Sequence, residues 1–462
     1  MPGLLKKLRE NPTILSTIGL LALATASWLR FAWTHNLRVD ENFVSGSQAA
    51  ILIPLVLVGL ALATAASLLG TSRKLPGGLA LFTSLTALSM PPFLSNDVFS
   101  YFYYGEALAK GLPVYHDFQG QHLFWHQFVG RRYLDTPAVY GLPLLLLYAA
   151  ITQMAGSHTF WALFILKTIH GMAAFVVWKT LCERVYSPRQ AVWMVALPLF
   201  WLEGLANLHN EFLLLPLAFG GILLYQNGRL LPAVLLWALA AWCKYSFALL
   251  LLWPWLDQPL RRSWPRLMGV YLASLLMMGT LHIMIWKLIY PGGPPWDGLL
   301  RPWATVSSLG PSSSLTDVVF TLTRVFLNAD LASFLNRVLG SLLQIFSVGL
   351  GIILLRHPQH RQPPVGLWML GAIFISFFSH RIMAWYFLIL LPFWWEGLPP
   401  VWRRWFLVTS AVYSAQGLIQ YTPPEWLFTQ ALTATLVVTG VYLLFWKFKS
   451  RYFSGSVSPS KA

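Results

Sequence analysis

Long apolar runs separated by short polar clusters set the frame of this sequence. Crossing a hydrocarbon core of ~30 Å takes about 20 mostly apolar residues as helix. Such runs, or helical halves of them, recur near 13–33, 48–70, 77–94, 159–182, 189–208, 212–226, 230–243, 245–256, 266–289, 332–355, 365–380, 385–398, 405–420 and 426–446. The pattern predicts about fourteen transmembrane helices with both termini on one side. On that count the basic clusters KKLR, SRK, KTLCERVYSPR, NGR, RRSWPR, RHPQHR, WRR and KFKSR share one face. Asp40, Glu41, Asp97, Glu106, Asp117, Asp135, Asp297 and Asp317 share the other. Lys and Arg are in excess on the cytoplasmic side of membrane proteins, so both termini are expected inside and the acidic loops outside.

Two stretches break the simple alternation. AVYGLPLLLLYAAITQMAG, 138–156, is apolar enough to cross, yet a crossing there would turn KTLCERVYSPR to the acidic side. It reads instead as a juxtamembrane or re-entrant helix that closes a first large external loop over about 95–157. LLPAVLLWALAAWCKYSFALLLLWPWL, 230–256, lies between two basic clusters of the same side, so it crosses an even number of times. Each half is then about 20 Å long as helix. Two short helices meeting at Lys244 leave a notch, which is tolerated at membrane depth where it lines a cavity. The whole reads as one transmembrane domain over 1–450, with a second external loop near 290–330 and a short cytoplasmic tail, 451–462.

Composition narrows the class. The chain of 462 residues is 56% hydrophobic and 10% charged, with mean hydropathy +0.59, whereas soluble domains carry roughly 25% charged residues. This is an all-α polytopic membrane protein by pattern and by content. The net charge of +16 is dispersed in the loop clusters, so it marks orientation and no nucleic-acid partner is expected. Cys182 and Cys243 are the only cysteines, so neither a disulfide framework nor a cysteine metal site is indicated. TILSTIGLLALATASWLRF follows a basic stretch as a signal peptide does, but with so many later spans it is expected to stay as an uncleaved first helix.

The candidate chemistry lies on the acidic face. An aspartate at the end of a span, Asp97, is costly and by default a functional candidate. Ser95 or Asn96 can cap the helix that starts there, and Gly111 with Pro113 can end it. Within this tyrosine-rich, amphipathic pattern, Asp97, Tyr101 and Tyr104 share a face at i, i+4, i+7 spacing; a carboxylate complementing the helix dipole is the plainer account. In WLEGLANLHNEFLLLP, His209, Asn210 and Glu211 form a polar turn level with Asp97. No HExxH-like spacing accompanies them, so no cofactor is expected and a divalent metal stays an open option. Lys244 at the hairpin tip and His380 with Arg381 in SHRIMAWYF are cationic. Arginine's planar fork suits a phosphate, although interfacial cations also snorkel to lipid headgroups. Trp385 and Tyr386 fit either an interfacial aromatic belt or a sugar subsite. Arg131, Arg132 and Arg301 are weaker cationic candidates.

SNDVFSYFYYGEALAKGLPVY, TPAVYGLPLLLL, ANLHNEFLLLPL, WCKYSFALLLLWP and SHRIMAWYFLILLP, in that order, resemble the landmarks of prokaryotic polyprenol-phosphate-mannose-dependent α-mannosyltransferases. They resemble, more distantly, the first mannosyltransferase of GPI-anchor assembly. The resemblance covers roughly residues 77–395. It implies the GT-C glycosyltransferase fold, with juxtamembrane helices and a catalytic acid in the first large external loop, and an active site on the extracytoplasmic face of the plasma membrane. Asp97 matches the family's catalytic aspartate, Tyr140 and Gly141 its tyrosine-glycine loop, and His209 and Asn210 its histidine-asparagine pair. Glu211 stands where relatives more often have aspartate, Leu142 and Pro143 depart from a glycine-proline order, and Ala384 replaces a proline before Trp385.

What the resemblance implies is a polyprenyl-phosphate-linked sugar donor, a glycan or glycolipid acceptor, membrane lipid around both, and inversion at the anomeric carbon. On that reading Asp97 is the general base, while Arg381, Lys244 and His380 hold the donor phosphate. Tyr101, Tyr104, Tyr140, His209, Asn210, Glu211, Trp385 and Tyr386 then surround sugar or acceptor. Two other classes suit the same spans: a lipid or solute transporter, which would favour paired broken helices in matching halves, and an inactive membrane scaffold. Donor-dependent product formation separates both from the enzyme.

Overall fold

Inside lipid the backbone has no water to bond, so an apolar run satisfies its N–H and C=O groups by coiling on itself. The computed structural model describes residues 11–33, 46–70, 77–95, 97–116, 118, 120–129, 134, 136–182, 194, 197–257, 263–308, 384–393 and 400–419, with isolated positions between 331 and 371. Among the described residues every regular element is helical. The helices are α1 (Pro12–Trp33), α2 (Gly46–Gly70), α3 (Gly77–Ser89), α4 (Asp97–Ala109), α5 (Leu142–Ala155), α6 (Thr159–Thr180), α7 (Asn210–Gln226), α8 (Leu230–Cys243), α9 (Trp264–Ile289), α10 (Asp297–Ser308) and α11 (Pro400–Ile419). A π-helix, Leu199–Ala206, precedes α7, and 3₁₀ helices run over Phe124–Phe128, Tyr245–Leu252 and Ala384–Phe393.

Segments within α1, α2, α6 and α9 are long and apolar enough to cross a membrane, and the π-helix with α7 makes a fifth if the bent pair counts as one span. That pair turns through 117°, where hydropathy alone marks two separate crossings at 189–208 and 212–226. Such faces as Phe160, Trp161, Phe164 and Phe175 on α6, and Leu272, Leu275, Leu276 and Met284 on α9, stay exposed. Apolar surface on that scale suits contact with lipid. Among the described residues the chain is all-helical, with four to five helices long and apolar enough to cross a membrane, which suits a membrane protein. The expected span at 426–446 lies outside the described residues, as do Arg131, Arg132, His380 and Arg381.

Both irregular stretches form short helices. α5 is a separate helix of 14 residues, shorter than a crossing needs. α8 stops at Cys243, Lys244 is extended (φ −154°, ψ 112°), and the chain resumes as the 3₁₀ helix from Tyr245. These two pieces connect through Gly141, whose N–H donates to the Cys243 carbonyl at 2.9 Å. A Cβ at Gly141 would sit 1.7 Å from the Trp242 oxygen, so only glycine lets the loop before α5 touch the hairpin tip.

α4 departs from expectation in one respect. It is buried nearly all round, because the Phe124–Phe128 turn covers the side that an amphipathic helix would leave wet. Phe99 and Phe102 pack on Trp125, at 6.5 and 4.7 Å between centroids. The Glu106 carboxylate accepts from the Phe124 and Trp125 N–H groups, each at 3.1 Å, and so satisfies donors that open the turn. At its other end α4 closes in a Schellman arrangement. Leu112 N–H donates to Ala107 O and Gly111 N–H to Leu108 O, both at 2.9 Å, with Gly111 at φ 74°.

Gly141→Ala is expected to lower stability by roughly 1–3 kcal/mol through overpacking, read as an earlier unfolding temperature in detergent. Gly78→Ala, where an added Cβ meets nothing within 4 Å, serves as control. Equal unfolding temperatures for the two variants would show that the loop and hairpin are not locked at Gly141.

Candidate functional site

Asp97 is the first residue of α4, and its own N–H donates to Ser95 Oγ at 3.1 Å. The side chain meets His209, with Nδ1 4.0 Å from Asp97 Oδ2. On its other edge the imidazole has Nε2 3.3 Å from Glu203 Oε2. One histidine thus lies between two carboxylates, and neither it nor Glu203 is exposed beyond 1%.

The elbow between the π-helix and α7 makes this arrangement. A π-turn widens the helix by one residue and is frequent at functional sites. Here it carries Glu203, and His209 N–H donates back to the Glu203 carbonyl at 3.0 Å. Leu208, between the elbow and His209, is buried at φ 62°, in a left-handed conformation that costs a branched residue roughly 1–2 kcal/mol. The surroundings hold it there. Lys167 on α6 donates to the carbonyls of Leu205 and Ala206, at 3.0 and 3.4 Å, which are the groups a helix end leaves unpaired.

Glu203 is buried but well supplied with donors. Ser414 on α11 donates to Oε1 and Asn207 Nδ2 donates to Oε2 at 3.2 Å, which offsets the cost of burying the acid. Asn207 in turn accepts with Oδ1 from the N–H groups of Phe93 and Leu94, both at 3.2 Å. The segment leading into Asp97 is therefore hooked to the elbow that holds His209, although more than a hundred residues separate them in sequence.

An ion pair lies beside this histidine and its two carboxylates. Lys244 contacts the Glu211 carboxylate in an ion pair and donates to Asn210 Oδ1 at 3.1 Å. Its ammonium sits 5.9 Å from the Tyr140 ring centroid and 5.5 Å from that of Tyr386, within reach of cation–π attraction. Tyr101 bridges the two halves. Its ring stacks on Tyr148 and meets Tyr140 edge-on, each at 5.0 Å. Burial first, then Tyr140 and the Asp97 charge, hold its hydroxyl well above the usual tyrosine range, so it stays a neutral donor. Tyr104 donates to Thr136 O at 2.7 Å and its ring lies 6.2 Å from Tyr140.

Sequence reasoning named most of this constellation, and the structure brings Asp97, Tyr101, Tyr104, Tyr140, His209, Asn210, Glu211, Lys244 and Tyr386 together. The backbone of Trp385 lies in the Ala384–Phe393 helix beside them. Lys244 is found paired with Glu211, whereas the sequence reading gave the two separate tasks. Glu203, Asn207 and Ser414 were missed. Glu203 did leave a signal, an acid inside the apolar run WLEGLA, which is a functional flag in its own right. Among the described residues no three His, Cys, Asp or Glu side chains are grouped as a metal ion would need.

A family model described as "Alpha-(1->6)-mannopyranosyltransferase, N-terminal domain" matches residues 13–256, more than half of the chain. Asp97, Glu203, His209, Glu211 and Lys244 all fall inside the match. No curated protein and no solved structure matches the chain.

Asn207→Leu is expected to destabilise the protein, because it orphans two buried N–H groups at roughly 1–3 kcal/mol each. Thermal unfolding in detergent measures it, and a variant as stable as the parent would show that Asn207 does not hold the Asp97 segment.

Proposed function

Because the chain belongs to the alpha-(1->6)-mannopyranosyltransferase family, we propose that it transfers mannose from a polyprenyl-phosphate-linked donor to an extracytoplasmic glycan or glycolipid, with inversion. The reading includes a GT-C bundle of about fourteen spans in the plasma membrane, with both termini inside and the site outside. One observation supports the assignment of roles. Of the charged side chains in the buried cluster, Asp97 and Lys244 are the two that reach the surface, 11% and 14% exposed, while Glu203, His209 and Glu211 are sealed. A base and a cation are thus the groups available to an incoming substrate.

In this mechanism Asp97 accepts the proton of the acceptor hydroxyl as its oxygen bonds to the anomeric carbon. The bond from that carbon to the phosphate oxygen breaks, and the electron pair leaves with the lipid phosphate. A phosphate monoester needs charge stabilisation more than a proton, so the second carboxyl acid of a glycosidase has no task here. A lysine carries three donors. Glu211 and Asn210 take two, and the third is assigned to a phosphate oxygen together with Arg381 and His380. His209, held by Glu203, orients Asp97. Tyr101, Tyr104, Tyr140, Asn210, Trp385 and Tyr386 are assigned to the sugar and acceptor, and the notch at Lys244 to entry of the prenyl chain.

Purified protein given polyprenyl-phosphate-mannose and a mannoside acceptor is expected to form product. Asp97→Asn should lose about 10²–10⁴-fold in rate, the range of general base catalysis, and retained transfer would remove Asp97 from that role. Arg381→Ala should raise the donor KM with the fold intact; unchanged kinetics would discard the phosphate clamp. Glu203→Gln should lower kcat while leaving donor KM in place, since it acts through His209 and not on the lipid.

A further inference from the structure

We propose that a cavity of 360 Å³ between the end of α4 and the end of α9 is a saccharide subsite. It would take a pyranose unit of the acceptor away from the reacting hydroxyl, and it rests on the glycosyltransferase reading above. Its walls include Tyr115, His116, Trp286, Tyr290, Gly293 and Asp297. The volume lies in the range of ~300–1,000 Å³ usual for small-molecule sites.

The lining has the two kinds of surface a pyranose uses. Trp286 packs between Tyr115 and Tyr290, with ring centroids at 5.7 and 4.9 Å. Tyr115 and Trp286 are 1% and 3% exposed and back the half-buried Tyr290, whose ring can offer a flat apolar face to the C–H side of a sugar. Asp297 supplies the polar side. Its side chain is 8% exposed, His116 Nε2 lies 2.8 Å from Oδ2, and Arg301 Nε donates to Oδ1 at 3.4 Å. A carboxylate has about four lone-pair positions, so it can accept further hydrogen bonds from sugar hydroxyls while these partners fix it in place. A prenyl tail is the poorer occupant, because it would cover this acid and its partners with hydrocarbon and give them nothing in return.

Position ties the cavity to the site. It opens beyond the last turn of α9, where PGGPP begins the external loop, and Gly292 and Gly293 leave the rim without side chains. Tyr115, in its wall, donates from its hydroxyl to the Tyr140 carbonyl at 2.9 Å. Tyr140 is the ring that faces both Tyr101 and Lys244. One residue thus separates the cavity wall from the charged cluster. Trp286, Tyr290 and Asp297 lie outside residues 13–256, so membership of the family does not itself assign this place.

Saturation-transfer NMR with an α-1,6-linked mannotriose tests the proposal on the intact protein in nanodiscs. Wild type and the control Gly78→Ala are expected to bind the trisaccharide alike, whereas Asp297→Asn and Gly292→Trp should weaken it at least tenfold. An added Cβ at Gly292 meets nothing within 4 Å, so this rim position accepts a side chain, and the indole is chosen to narrow the mouth. No binding by wild type, or equal binding by both cavity variants, overturns the subsite. In the transfer assay the same two variants should raise acceptor KM about tenfold with donor KM unchanged. Transfer that proceeds with acceptor KM unmoved would sink the subsite and leave the enzyme reading intact. Binding without any transfer by wild type would do the reverse.

Discussion

A carboxylate kept buried beside another carboxylate needs a proton, a cation or a hydrogen-bonding group between them. In this protein His209 is that element, between Glu203 and Asp97. Most of the surrounding structure serves to keep it there. The π-turn sets Glu203 under the imidazole, the strained backbone at Leu208 turns the chain through the elbow, and Lys167 caps the carbonyls that the turn exposes. Asn207 then brings the segment before α4 to the same elbow. Without that hook Asp97 would be one more polar residue at the end of a helix.

The cluster sets a carboxylate–imidazole–carboxylate stack beside the Lys244–Glu211 ion pair, and exposure separates its members. Glu203, His209 and Glu211 are sealed, while Asp97 and Lys244 reach the solvent. Family membership supplies the reaction class. The order in which buried and exposed charges alternate supplies the proposal for who acts on what. In the same proposal the pairing of Lys244 with Glu211 sets the site's phosphate affinity, because one donor of three is left for the lipid. That is why Arg381, from the segment outside the described residues, carries so much of the assigned clamp.

Much of this could be read in the sequence, and the reasons differ by feature. Length and apolarity are local properties, so α1, α2, α6 and α9 were visible as spans, and the break at Lys244 followed from two basic clusters flanking an even number of crossings. Asp97, His209 and Lys244 stood out because charge in an apolar chain is expensive. The pairing of Lys244 with Glu211, the support of Glu203 by Ser414, and the burial of α4 under Trp125 were not legible. Each depends on which distant segment packs against which, and nothing in local composition encodes that. The 117° bend was hidden for a similar reason, since hydropathy counts apolar residues and does not register a change of direction.

The most direct measurement is an experimental structure of the protein with a non-transferable phosphonate analogue of the polyprenyl-phosphate sugar. The account predicts a phosphonate oxygen within hydrogen-bond distance of Lys244 Nζ, with the face of the anomeric carbon opposite the phosphonate turned to Asp97. A headgroup bound away from Lys244, or an anomeric carbon screened from Asp97, would contradict it.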